Sequence, residues 1–132
     1  MTDIAFYVLK PQAQGDRFSL ACRLIDKAYG QGRRVLAYTD SADDSQRLDR
    51  LLWCFRDQSF IPHGLLGRID SQLPPVLISH QDDPAAESDV LINLSRRQPP
   101  FFNRFQRLAE LIDRDPEVIS NGRQRYRQYQ AQ

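Results

Sequence analysis

The sequence predicts a single α/β domain of three layers, with a mostly parallel central sheet and helices on both faces. Short runs rich in β-branched and aromatic residues alternate with longer stretches whose apolar residues recur at helical spacing. These short runs are apolar almost throughout, as expected of strands covered on both faces. The 132 residues, 41% hydrophobic and 27% charged, match one domain with one core. We therefore expect residues 1–132 to form one domain with a frayed end.

The first strand is predicted at residues 4–9, where the sequence reads IAFYVL. An apolar stripe at helical spacing begins at Arg17, and Asp16 is placed to cap the start of this first helix. Gly30 or Gly32 is expected to end it.

The second strand is predicted at residues 33–39, and Ser41 then begins a second helix with a capping-box-like sequence. Four apolar residues of this helix are expected to face the core: Leu48, Leu51, Leu52 and Phe55.

The second half of the chain predicts two further strands, at 76–80 and 90–94, and two further helices. The third helix is predicted at 101–112, where apolar residues fall on or beside one face. Asp115 is expected to cap the last helix, residues 116–130.

Composition excludes several classes of function and localisation. The net charge of +1 comes from 18 basic and 17 acidic residues, so no overall field attracts nucleic acid or anionic lipid.

Cys22 and Cys54 stand among apolar neighbours without a CxxC motif, and we expect buried, reduced thiols. The chain begins without a signal-peptide pattern and has no window near the ~20 apolar residues of a membrane span. A cytoplasmic protein is predicted.

Residues 47–65 hold the only tryptophan, and Trp53 is separated from Phe60 by a polar run at 56–59. Large aromatic residues beside such a run either cover a core or anchor an interface. Trp53 follows Leu52 and is therefore turned by ~100° from that core-facing position. Because Trp53 points away from the core-facing side of the helix, we expect it to contact a partner protein. His63, farther along, is expected to order the loop through a hydrogen bond.

The motifs for bound phosphate or metal are absent from the sequence. The first strand is followed by neither GxxxxGK[ST] nor GxGxxG, and two separate histidines do not make a metal site. We predict no cofactor. The best enzyme-like group is Ser79-His80 with Asp82 and Asp83, at the carboxyl end of a strand. Neighbouring strand residues point to opposite faces, so Ser79 and His80 cannot form a dyad there. The alternative function is a small α/β enzyme acting on a nucleotide or phosphoester at this edge.

The last helix carries Arg123, Tyr126, Arg127 and Gln130 at i, i+3, i+4 and i+7, which places them on one face. Such a face can bind an anion carried on an apolar body, because arginine takes a carboxylate while the tyrosine ring packs. It can equally be a solvated arginine helix. A phosphate backbone is a further possible ligand, but a few arginines on a near-neutral chain predict only weak, salt-sensitive DNA binding.

Phe101 and Phe102 are neighbours, so one ring can enter the core while the other lies near the surface. By default we expect both phenylalanine rings to lie in the core.

Several segments of this sequence match segments of a known protein family. They stand in the same order as in that family and extend along nearly the whole chain. They are FYVL, GRRVLAYTDSADDSQRLDRLLW, SFIPHGL, the strand pair around PPVLI and DVLINL, PPFFNRF and the terminal RQRYRQY. In this combination the sequence resembles the chi subunit of the bacterial DNA polymerase III holoenzyme, part of its clamp-loader assembly.

The resemblance implies a non-enzymatic adaptor with a three-layer α/β fold that looks like a nucleotide-binding domain but binds no nucleotide. Members bind the psi subunit, which tethers them to the clamp loader. They also bind the acidic, phenylalanine-ended C-terminal tail of single-stranded DNA-binding protein. Trp53 and Phe60 match the aromatic positions associated with psi and, in some members, with a competing helicase-like protein.

By the same resemblance, Arg123, Tyr126 and Arg127 match the tail-binding end of the last helix, and Phe101 or Phe102 would form a wall of that pocket. The chain departs from better-known members at residues 119–121, Ile-Ser-Asn, where those members carry a lysine. This departure bears on the strength of the tail site.

Overall fold

The computed structural model describes residues 2–10, 12–55, 61–66, 74–84 and 86–131. The strands and helices among them, in chain order, are β1 (Asp3–Val8), α1 (Arg17–Gly30), β2 (Val35–Tyr38), α2 (Ala42–Cys54), β3 (His63–Leu65), β4 (Val76–Ser79), β5 (Val90–Asn93), a short 3-10 helix (Phe102–Arg104), β6 (Arg107–Ile112) and α3 (Pro116–Gln130). None of the helices in these ranges is long and apolar enough to cross a membrane.

The strands form one sheet in the order β1-β6-β5-β2-β4-β3, and every pair is parallel. Two clusters of buried side chains lie on its two faces. On one face α1 and α2 cover the sheet, with Phe18, Ile25 and Leu48 among the buried residues. On the other face the cluster includes Leu36, Leu91 and Phe105, and Tyr129 of α3 packs against it. The predicted three-layer α/β fold is confirmed.

The predicted helix starts are confirmed because their capping residues make the expected hydrogen bonds. Asp16 accepts from the backbone N–H groups of Phe18 and Ser19, and the Ser19 hydroxyl lies 3.0 Å from the Asp16 nitrogen, which completes a capping box. Ser41 accepts from Asp44 at the start of α2. Gly32, two residues past the end of α1, has φ of 75°, a conformation that favours glycine.

The helix predicted at 101–112 was wrong. Its first part is the short 3-10 helix, and its second part is β6, which lies between β1 and β5 in the sheet. A strand covered on both faces needs apolar residues in both directions, so Leu108, Ala109, Leu111 and Ile112 suit such a strand as well as a helix. Apolar periodicity alone cannot separate the two cases. β3 was also missed, since its three residues lie where a loop was expected.

The prediction for Cys54 was wrong as well, since Cys22 is buried but Cys54 is exposed. Cys54 follows Leu52 by two helical positions, or ~200°, and therefore lies on the side of α2 away from the core. Leu48 and Leu52 are buried as expected, and Leu51 and Phe55 are partly buried against the same cluster.

Candidate docking surfaces

A groove of about 750 Å³ lies between α3 and the carboxyl-terminal halves of β1 and β6, and we call it the α3 groove. It contains three of the four residues that the sequence placed on one face of the last helix, and Gln130 is not among its described lining residues. Its lining is Phe6, Val8, Ile112, Ile119, Gly122, Arg123, Tyr126 and Arg127.

Local geometry explains why these residues meet. Phe6 and Val8 alternate along β1 and so share one face, and Val8 is the register partner of Ile112 on β6. On α3, positions 119, 122–123 and 126–127 follow one another by one helical turn. Gly122 lets the helix approach the sheet, since a Cβ at this position would lie 2.3 Å from Cδ1 of Ile112.

The groove has an apolar floor and a basic rim. Tyr126 is 49% exposed, and its ring meets the Phe6 ring edge-on, with centroids 5.4 Å apart. Its hydroxyl accepts from Nε2 of Gln130 at 3.0 Å. Arg123 and Arg127 are both exposed. The arrangement suits a ligand that combines an apolar group with a negative charge.

A buried polar network fixes α3 against the sheet, and sequence reasoning missed it. Glu110 of β6 is fully buried, and its carboxylate accepts from Nε of Arg125 at 3.1 Å and from the Tyr129 hydroxyl at 2.6 Å. Nδ2 of Asn93 on β5 donates to the same carboxylate at 2.9 Å. The glutamate inside the apolar run of β6 was the available signal, because a buried acid needs partners.

Burial sets the ionisation of this network. It raises the pKa of Glu110, and Arg125, Tyr129 and Asn93 act in the opposite direction. Burial and the nearby carboxylate likewise raise the pKa of the Tyr129 hydroxyl, which remains a donor. α3 is therefore fixed by its buried side while Arg123, Tyr126 and Arg127 stay exposed on the other.

Phe101 and Phe102 are half-buried and pack against the core on the α3 side of the sheet. Phe101 meets Tyr38 edge-on at 5.3 Å, and Phe102 meets Tyr129 at 5.0 Å. Neither phenylalanine belongs to the described residues that line the α3 groove. Phe102 reaches the groove only indirectly, since Tyr129 also contacts Phe6.

Trp53 lies near the end of α2 on the outer side, with 57% of its surface exposed. Its ring meets the ring of His63 edge-on, with centroids 5.1 Å apart. The His63 side chain is buried, its Nδ1 lies 2.6 Å from the carbonyl oxygen of Ile61 and its Nε2 lies 3.2 Å from Oδ1 of Asp49. His63 thus makes the kind of hydrogen bond that the sequence predicted. Its buried ring also packs against the exposed Trp53 ring. Phe60 lies outside the described residues.

Two residues of the alternative enzyme site, Ser79 and Asp82, make hydrogen bonds or ion pairs of their own. Ser79 is buried, and its hydroxyl accepts from the backbone N–H of Gln81 at 3.1 Å. Asp82 accepts from the Tyr38 hydroxyl and lies 3.5 Å from Nη2 of Arg97. Within the described ranges, no three His, Cys, Asp or Glu side chains are grouped to hold a metal ion.

Comparison with known proteins places this architecture in a family. The family model described as DNA polymerase III chi subunit, HolC, matches residues 1–132. A DNA polymerase III subunit chi from Pseudomonas aeruginosa is 39% identical over 134 positions, which cover 100% of this chain and 92% of that protein. The subunits chi of Haemophilus influenzae and Escherichia coli are each 27% identical. The first alignment covers 96% of this chain and 89% of the relative, and the second 99% and 92%. The chain therefore belongs to the family of DNA polymerase III chi subunits, the accessory proteins of the replication machinery.

Proposed function

We propose that this chi-family protein is a non-catalytic, cytoplasmic adaptor with two docking surfaces. The α3 groove takes the acidic, phenylalanine-ended tail of single-stranded DNA-binding protein, and the surface around Trp53 takes the psi subunit of the clamp loader. The observation that carries the proposal is the α3 groove itself, with its apolar floor and two exposed arginines at the rim.

The chemistry of the groove matches the end of such a tail. A terminal phenylalanine side chain can pack on Phe6, Ile119 and the Tyr126 ring, where aromatic contacts add to burial. The free carboxylate that follows it can accept from Arg123 or Arg127 in bidentate geometry. By the resemblance, better-known members carry a lysine within the segment that reads Ile-Ser-Asn at 119–121 here, so in this chain the two arginines would supply the positive charge of the site.

The Trp53 surface has the features of a protein contact. A tryptophan that is more than half exposed contributes little to its own core, but tryptophan is enriched among the residues that dominate binding energy. His63 packs behind the ring and limits its freedom, which lowers the entropy cost of docking.

The tail site is tested by titrating an acidic peptide with a free C-terminal phenylalanine into purified variants. Arg123→Ala and Tyr126→Ala should each weaken binding by about tenfold, while Arg23→Ala, which removes an exposed charge from α1, should not. Salt should weaken binding by the wild type, because the Debye length falls from ~10 Å at 0.1 M to ~3 Å at 1 M. Unchanged affinity in both variants would refute the site.

The Trp53 surface is tested by measuring psi binding to Trp53→Ala. We expect binding to be lost while the thermal unfolding transition stays close to that of the wild type, because the ring is mostly exposed. Normal psi binding by a folded Trp53→Ala protein would remove Trp53 from the interface.

A further inference from the structure

The two edges of the sheet differ in how well they are protected. β3 at one edge has only three residues, and short edge strands resist pairing with other chains. β1 at the other edge has six residues, reads DIAFYV and has exposed side chains at Ala5, Tyr7 and Val8. A long, apolar and exposed edge strand is a template for a further strand.

The backbone of β1 presents hydrogen-bonding groups along this edge. Asp3 donates to the carbonyl of Gln106 at 2.9 Å, and Leu9 donates to that of Ile112 at 2.8 Å, so odd-numbered residues bond to β6. In a parallel ladder the alternate residues point the other way. The N–H and C=O groups of Ile4, Phe6 and Val8 therefore face outward, where no strand pairs with them among the described residues.

A groove flanks β1 on each face of the sheet. Phe6 and Val8 contribute to the α3 groove on one face. On the other face a second groove of about 360 Å³, which we call the α1 groove, lies between β1 and α1. Its charged lining residues are Asp3, Lys27, Arg33 and Arg107. A strand added beside β1 would direct alternate side chains toward these two grooves.

We propose that the acidic tail binds as a seventh strand of the sheet, parallel to β1, with its last residue in the α3 groove. This inference rests on the proposed function, because it takes the terminal carboxylate to lie at Arg123 and Arg127. These arginines stand beside the carboxyl-terminal half of β1, since their groove is lined by Phe6 and Val8. The residues before the terminus then run back past Ile4 toward Asp3, which sets the parallel direction.

Charge favours an acidic occupant for this path. Three cations and one carboxylate line the α1 groove, and Arg33 is already engaged with Asp89. The charge of Arg107 also acts on Asp89, so Lys27 is the cation of this groove that best meets the side chains of an added strand on this face. An aspartate at one of the alternate positions of the tail would contact Lys27, while the remaining positions would face α3.

Amide hydrogen exchange, read residue by residue by NMR, tests the added strand directly. The probe is a short peptide of aspartates and serines that ends in a free phenylalanine carboxylate. In the free protein the amides of Ile4, Phe6 and Val8 should exchange fast, because they lack acceptors in the sheet. Saturating peptide should slow their exchange by at least about tenfold, while Ala5 and Tyr7, bonded to β6 throughout, should change little.

Backbone N-methylation of the peptide, one position at a time, provides a second readout. Each methyl group on an amide that faces β1 should cost about tenfold in affinity, and each on the alternate amides should cost little. Lys27→Ala should weaken binding and its salt dependence, while Arg23→Ala is the matched loss of one charge from the same helix.

The outcomes separate this inference from the proposed function. Peptide binding that depends on Arg123 but leaves the exchange of Ile4, Phe6 and Val8 unchanged would overturn the added strand and keep the tail site. No peptide binding would overturn both. Protection of these amides that rises with protein concentration, without peptide, would assign the edge to a second copy of the chain instead.

Discussion

At the scale of single residues, burial separates the two cysteines. Burial raises the pKa of the Cys22 thiol to about 11, and Asp16 adds to this shift. Cys54 is exposed near the end of α2. Because the thiolate is the reactive form, native protein at pH 8 should react with a thiol reagent at Cys54 alone, and denatured protein at both cysteines. A Cys54→Ala variant that still reacts when native would contradict this assignment.

Loss of the buried Glu110 carboxylate should reduce the stability of the protein substantially. Its carboxylate compensates the buried guanidinium of Arg125, with Nη2 of Arg125 at 3.0 Å. Glu110→Gln would leave that charge uncompensated, and removing one partner of a buried pair costs about 3–5 kcal/mol. Urea unfolding measures the loss. Glu117→Gln, which removes an exposed acid from the first turn of α3, should change stability by less than ~0.5 kcal/mol.

At the scale of elements, Asp113 joins the starts of two helices. Its side chain accepts from the backbone N–H groups of Arg17, at the start of α1, and of Asp115, the N-cap of α3. Burial alone would raise the pKa of Asp113, but these hydrogen bonds and the Arg17 guanidinium outweigh it and hold the pKa below the usual value.

The lowered pKa of Asp113 makes the free energy of unfolding depend on pH in one direction. A lowered pKa in the folded state stabilises the protein at pH above the unfolded value of ~3.9, and the contribution is lost as pH falls through the folded pKa. Urea unfolding from pH 6 down to pH 3 should show the gap between wild type and Asp113→Asn constant near neutrality and shrinking below about pH 4. A gap that widens on acidification would contradict the assignment.

The contact between α3 and β6 sets the shape of the α3 groove. Gly122→Ala would gain roughly 1 kcal/mol of helix propensity, but its Cβ would displace Cδ1 of Ile112, which lines the groove. We therefore expect small stability changes and several-fold weaker peptide binding. Adding Ile112→Val removes the clashing methyl group and should restore affinity; no rescue would indicate that α3 itself has shifted.

At the scale of the whole molecule, the strand order separates the two proposed docking surfaces. β1, beside the α3 groove, lies at one edge of the sheet, and β3, against which α2 packs, lies at the other. Mutations at distant sites without shared partners usually have additive effects, to within about 0.3–0.5 kcal/mol, and we expect the same independence for binding at these two surfaces. The tail peptide should therefore bind with equal affinity in the presence and absence of psi. A large change in affinity would reveal coupling across the sheet.

Much of the fold could be predicted from the sequence because the signals are local. Asp16, Ser41 and Asp115 act as caps within a few residues of their own position, and the apolar runs at β2, β4 and β5 are short and bounded by polar segments. The face formed by Arg123, Tyr126 and Arg127 follows from helical spacing alone. The sequence by itself thus determined the fold class, the family and half of the groove.

The other half of the groove was decided only by the tertiary structure. Phe6 and Val8 are more than a hundred residues from α3 in the chain, and only the place of β6 between β1 and β5 brings them there. The periodicity of β6 fits a strand and a helix equally, and the partners of Glu110 come from β5 and α3. Contacts between distant segments depend on strand order, and no local pattern encodes that order.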